Sequence, residues 1–151
     1  MAPSIAHLSI LIVEDNLVNQ RVLASQLEKR HCSVSIAGHG RAALDFLTKT
    51  KFYRGNEESG EPLSLVLMDI EMPIMGGLEC VKEIREMEKS GEIVGHVPVI
   101  AVSANARKEQ IDTATAAGMD DFITKPFRVS ELVPKMLRLA GWSARPAANS
   151  A

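Results

Sequence analysis

The sequence predicts an α/β fold, a single doubly wound sheet of five parallel strands alternating with five helices in a (βα)5 order. Three observations support this. Short, almost wholly apolar runs occur at Leu8–Val13, Leu65–Met68 and Val99–Val102, the pattern of strands covered on both faces. Stretches with helical spacing of apolar residues separate the strand-like runs. Each strand-like run stops at polar residues or at a turn, so strand, loop and helix follow one another regularly. Such alternation gives one parallel sheet with helices on both faces, joined by right-handed crossovers.

The first strand, Leu8–Val13, ends in Glu14-Asp15-Asn16. Asn16 suits an N-cap, and Val18, Val22, Leu23 and Leu27 recur at helical spacing up to about Arg30. Ser33–Ala37 reads as a short strand and Gly38–Gly40 as a turn, and Arg41–Lys49 carries Ala42, Leu44, Phe46 and Leu47 on a second helix. Residues 50–62 (TKFYRGNEESGEP) are polar and aperiodic. They are expected to form a mobile surface insertion, either a tolerated one or a loop specific to a partner. The third strand, Leu65–Met68, delivers Asp69, and Met72-Pro73 and Gly76-Gly77 then release the chain into a helix through Leu78, Val81 and Ile84 to about Lys89. Pro98 introduces the fourth strand, which ends at Ser103; a weakly amphipathic helix follows over Arg107–Ala117, with Gly118 as its C-cap. Phe122–Thr124 is the fifth strand and ends in Lys125-Pro126-Phe127. The last helix covers Val129–Leu139, with a start nearer Ser130 or a kink because of Pro134. Residues 1–7 read as a loose lead-in, 8–142 as the domain and 143–151 (SARPAANSA) as a flexible tail.

Composition narrows the function classes. The 151 residues, 46% hydrophobic and 24% charged, suit one soluble domain with a proper core. A net charge of −2 argues against a nucleic-acid-binding body. Cys32 and Cys80 have neither CxxC spacing nor clustered histidines, so no disulfide frame or zinc site is expected. No run reaches membrane-spanning length and no signal peptide is legible, which leads us to expect an intracellular, cytoplasmic protein without membrane contact.

The polar residues at the strand ends carry the chemistry. A lone Asp69 could equally be a turn cap or a reactive carboxylate. The ends of parallel strands share one edge of the sheet, however, and there Asp69 would meet Glu14 and Asp15, Ser103 and Lys125. Three carboxylates in one place are unfavourable without a cation, and an all-oxygen donor set favours magnesium over zinc or copper. Lysine and hydroxyl donors facing that cation suit an anion. Together these groups describe phosphoryl transfer onto Asp69.

Four segments, Val13-Glu14-Asp15-Asn16, Leu67–Pro73, Ala101–Ala106 and Asp121–Phe127, resemble in order and spacing the receiver domain of two-component response regulators. The resemblance runs from about Leu8 to Leu139. It implies a flavodoxin-like fold with strand order 2-1-3-4-5. It also implies that Asp69 is the phosphoacceptor, taking its phosphoryl group from a phosphohistidine. Magnesium would be held by Asp15 and Asp69, by the backbone carbonyl of Glu71 and, through water, by Glu14. Lys125 would pair with Asp69 and then with the phosphoryl oxygens, Ser103 would be the switch hydroxyl, and Phe122 would occupy the switch aromatic position. Phe122 could also be a plain core residue, since it lacks the hydroxyl often found there. The Lys125-Pro126 bond is expected to be cis. A switch in the face built from the fourth and fifth strands and helices would follow phosphorylation.

Some positions depart from the family pattern. Gly76 stands where an Asp is common, which predicts a more flexible turn, and Glu71 should influence the phosphoryl lifetime with a sign that the sequence does not give. Glu-Asp-Asn with Val18-Asn19-Gln20, and SANA after the fourth strand, are similar to receivers of hybrid histidine kinases and phosphorelays. The expected partner is therefore a histidine phosphotransfer protein or a histidine kinase, met through the first helix with Leu17, Val18 and Leu23 as candidates. The apolar surplus of that helix is either this docking patch or a broad buried face. The chain is expected to be monomeric, with dimerisation on activation possible, and to be no enzyme beyond self-phosphorylation and autodephosphorylation, though a full-length parent could be a histidine kinase. The alternatives are a stand-alone single-domain regulator and an unphosphorylated pseudo-receiver. A haloacid-dehalogenase-type phosphatase would want a second Asp where Glu71 stands.

Overall fold

In a computed structural model, residues 4–140 are described; the tail expected at 143–151 lies outside them. The chain runs β1 (Ser9–Val13), α1 (Leu17–Glu28), β2 (Ser33–Ala37), α2 (Gly40–Leu47), β3 (Leu65–Asp69), α3 (Gly77–Ser90), β4 (Val99–Ser103), α4 (Lys108–Ala117), β5 (Asp121–Thr124) and α5 (Val129–Leu139). All strand pairs are parallel and the sheet order is β2-β1-β3-β4-β5, as the resemblance implies.

Side chains alternate across each strand, so the sheet divides the core in two. Leu11, Val13, Val66, Met68, Val99 and Ala101 pack with residues of α2, α3 and α4. Ile10, Ile12, Leu65, Leu67, Ile100, Val102 and Ile123 pack with Ala24 and Leu27 of α1 and with Leu132, Met136 and Leu139 of α5. Every residue of β3 and β4 is buried, which explains their unbroken apolar sequence. The edge strand β2 is largely uncovered and correspondingly mixed in composition. Asn16 caps α1 by accepting the Asn19 N–H at 2.9 Å, and Gly118 (φ +118°) ends α4 in the left-handed conformation expected of it.

Two readings are corrected. Ile5, in the supposed loose lead-in, is buried in the cluster below α1 and α5. Residues 50–62 are anchored, not a plain insertion. Lys51 N–H donates to the Glu61 carbonyl (2.9 Å), Arg54 N–H to Glu92 (2.8 Å) and Val94 N–H to Phe52 (2.8 Å), while the Phe52 ring joins the core. Of the two alternatives for the apolar surplus of α1, the broad buried face is excluded: the buried residues are Gln20, Ala24 and Leu27, whereas Leu17, Val18 and Val22 are 65%, 68% and 51% exposed. Helix α5 covers Val129–Leu139 as expected, with Pro134 inside it beyond the first turn, so its start is not displaced to Ser130.

Candidate functional site at the carboxyl ends of the strands

Asp69 is the last residue of β3 and only 4% exposed. The chain turns immediately after it: Ile70 N–H donates to the Val102 carbonyl (3.0 Å) and Gly77 N–H to the Ile70 carbonyl (3.1 Å). A Cβ on Gly77 would collide with the Asp69 carbonyl oxygen, so the second glycine is required for helix α3 to start this close to the strand end. Gly76 is the N-cap of α3 and offers no side-chain cap, the consequence of lacking the Asp common in the family. The turn directs Glu71 N–H at Asp69 Oδ1 (3.0 Å), while Lys125 Nζ donates to Asp69 Oδ2 (2.9 Å) and to Glu14 Oε1 (3.4 Å).

The neighbouring loops are fixed by backbone bonds. Glu14 N–H donates to the Ala37 carbonyl (3.1 Å) and Lys125 N–H to the Ser103 carbonyl (2.8 Å); the Lys125–Pro126 peptide is cis. Gln20 is buried and donates its side-chain amide to the Glu14 carbonyl. Reading apolar residues alone misses Gln20, yet its 20, 24, 27 spacing with Ala24 and Leu27 marks it as the one polar residue on the buried stripe. Carboxylate oxygens of Glu14, Asp15 and Asp69 lie within 4.8 Å of one another.

Burial, and next the hydrogen bond to Glu14, push the Asp69 pKa up to about 7 against the opposing pull of Lys125. Burial also works to raise Glu14, but its bonds to Asp69, Asn19 and Lys125 outweigh that and hold it at about 2. For Lys125, burial disfavours the charge, yet the facing Asp69 and Glu14 leave its pKa raised. The groups here that could hold a cation, the converging carboxylates of Glu14, Asp15 and Asp69, offer only oxygen. This donor set suits a magnesium-like ion.

Ser103 ends β4 beside Asp69, 2% exposed, and donates its hydroxyl to Glu71 Oε1 (2.9 Å). The same Glu71 oxygen accepts Ala104 N–H (3.3 Å). Phe122 is half-buried against the α2–α3–α4 side of the core. Glu14, Asp15, Asp69, Ser103 and Lys125 therefore meet at one edge, while Phe122 stands on the adjoining face. An open cavity of about 540 Å³ extends from Glu14, Asp69 and Lys125 between Val22 and Leu23 of α1 and Pro126 and Phe127, floored by Ile12, Leu67 and Val102.

Residues 10–137 match the response regulator receiver domain family. The chain belongs to that family. As a receiver domain it is 38% identical over 128 residues to hybrid signal transduction histidine kinase I of Dictyostelium discoideum, covering 85% of this chain but 7% of that protein. Among solved structures, it is similar to the receiver domain of Saccharomyces cerevisiae Ssk1, co-crystallised with the histidine phosphotransfer signaling protein Ypd1 (TM-score 0.75, 29% identity, 89% of this chain and 90% of that one). It is also similar to the receiver domain of the Pseudomonas aeruginosa sensor histidine kinase PA1611, which has magnesium coordinated in its active site cleft (TM-score 0.73, 31% identity, 90% and 99% covered). The receiver thus takes part in two-component signalling, and it spans a small part of the length of the curated relatives it matches. No helix among its described residues is long and apolar enough to cross a membrane.

Proposed function

We propose that the receiver accepts a phosphoryl group on Asp69 from the phosphohistidine of a histidine phosphotransfer protein, as the receiver of a hybrid histidine kinase or phosphorelay. The observation that carries this is the buried Asp69 carboxylate, bracketed by Lys125 and the Glu71 N–H, at the edge where Glu14 and Asp15 converge. A carboxylate oxygen of Asp69 attacks phosphorus, the P–N bond breaks, and its electron pair returns to the imidazole. Lys125 holds the nucleophile in place and remains to balance the negative charge gathering on the phosphoryl oxygens. Asp15 and Asp69, with Glu14 through water and the Glu71 carbonyl, would hold the magnesium ion, which when bound neutralises charge between the carboxylates and the phosphoryl group. The chain acts on itself alone. Phosphorylation draws Ser103 and Phe122 inward and shifts the β4-α4-β5-α5 face between two populations.

The exposed Leu17 and Val18, with Val22 and the half-buried Leu23 that line the cavity, supply the partner's apolar footing. The relation to a receiver solved together with a histidine phosphotransfer protein supports this reading. The test is transfer from a phosphorylated histidine phosphotransfer protein in the presence of magnesium. Wild-type receiver should take the label and Asp69→Asn should not. Val18→Glu should raise the receiver concentration needed for half-maximal transfer roughly tenfold while leaving labelling by a small phosphodonor intact. Equal labelling of wild type and Asp69→Asn would refute the assignment.

A further inference from the structure

An anionic oxygen already occupies two donors at the end of β4, the strand next to that of Asp69. Glu71 Oε1 accepts both the Ser103 hydroxyl (2.9 Å) and the Ala104 N–H (3.3 Å). Ser103 has a single hydroxyl proton; the other acceptor in its reach among the described residues, the Asn105 carbonyl, is at 3.5 Å, a poorer contact. The Ser103 oxygen meanwhile accepts the Asn105 N–H at 3.1 Å, so the buried hydroxyl is fully engaged. Ser103 stands one residue beyond Val102, the residue paired with Asp69 across β3 and β4. Glu71 lies two residues beyond Asp69 and holds Asp69 Oδ1 through its backbone N–H. The strand-end donors and the nucleophile are therefore joined through one glutamate.

A phosphoryl group on Asp69 would bring further anionic oxygens to the same donors. One hydroxyl proton cannot serve both a carboxylate and a phosphoryl oxygen, and the two anions repel at that range.

We propose that Glu71 is a built-in competitor for the incoming phosphoryl group: its carboxylate occupies the Ser103 O–H and Ala104 N–H in the unphosphorylated receiver and must vacate them for the phosphoryl group to bind. The proposal rests on the phosphoacceptor reading of Asp69. A tethered competitor acts at high effective concentration, and apparent affinity falls by the fraction of time the donors are free. Glu71 is exposed to solvent, so its displaced carboxylate can hydrate. Its bond to Asp69 comes from the backbone, so side-chain replacement removes the competitor and leaves the nucleophile's support in place.

The test follows backbone amides by NMR while beryllofluoride, with magnesium, is titrated into wild type, Glu71→Ala, Glu71→Gln, Ser103→Ala, the Glu71→Ala/Ser103→Ala double variant and Asp69→Asn. Before any ligand is added, Glu71→Ala should move the Ala104 and Asn105 amide signals. It should then bind beryllofluoride roughly fivefold more tightly than wild type. Glu71→Gln, which keeps an acceptor oxygen without the charge, should fall between the two. In the Ser103→Ala background the gain from Glu71→Ala should shrink. An Asp69-dependent affinity that Glu71→Ala fails to tighten sinks the competitor role alone, as do unmoved Ala104 and Asn105 amides. An undiminished gain in the Ser103→Ala background replaces competition with plain charge repulsion. Failure of the wild type to bind in an Asp69-dependent way sinks the phosphoacceptor reading and the competitor role with it.

Discussion

At the far end of the sheet from Asp69, four charged side chains form a network separate from the carboxylate site. Arg85 donates to Glu88 (2.6 Å), Asp120 (2.9 Å) and the Val97 and Gly118 carbonyls, while Glu88 and Asp120 accept the Val97 and Val99 N–H groups at 2.8 Å each. His96 Nε2 meets Asp120 at 2.8 Å and its Nδ1 lies 3.6 Å from Glu88. Bonds to Asp120 and then Glu88 raise the His96 pKa to about 9, against burial and the Arg85 charge. A histidine with a raised folded-state pKa contributes stability that is fully present below its unfolded value near 6.5 and is lost as pH rises through about 9. After discounting for partial solvent screening, the loss should be about 1–2 kcal/mol. Urea midpoints should show wild type well above His96→Gln at pH 6 and the gap closing by pH 10. A gap that stays constant would contradict the linkage. The same scale limits what sequence can show: the Glu71–Ser103 bond joins a loop residue to a strand-end residue 32 positions away, and no local pattern announces it.

The β3–α3 connection carries the strongest constraint at the scale of elements. Gly77 lets the first turn of α3 approach the Asp69 carbonyl, and the atoms a Cβ would meet are mostly backbone. Gly77→Ala should therefore cost about 1–3 kcal/mol of stability, read from urea unfolding. Gly38→Ala, with no atom within 4 Å of its new Cβ, should stay near wild type. Equal costs for both would show that the close approach does not matter. The buried strands were legible because both of their faces are covered, which leaves only apolar residues in the run. Helix α1 left two readings open because Leu17, Val18 and Val22 suit either a broad core face or an exposed apolar patch, and only the structure shows that they face solvent while the polar Gln20 faces inward. Residues 50–62 misled for the opposite reason, since their polar composition hides Thr50 and Phe52, two anchors that the short helix α2 needs beneath it.

Across the whole molecule, the alternation of strands and helices was enough to predict one parallel sheet with the carboxyl ends of its strands at one edge, while the strand order rested on the family resemblance. Glu14, Asp69, Ser103 and Lys125 come from four different strand ends yet meet through direct or one-residue links. That convergence was inferable from topology; the hydrogen-bond partners within it depended on side-chain directions that sequence does not encode locally. The arrangement makes one claim above all others, that Asp69 is where a phosphoryl group attaches. Incubation with a small phosphodonor and magnesium, followed by borohydride reduction and peptide mass spectrometry, addresses it directly, because an aspartyl phosphate is reduced to homoserine. Homoserine is expected at position 69 and nowhere else. Homoserine at another carboxylate, or at none while the donor is consumed, would contradict it.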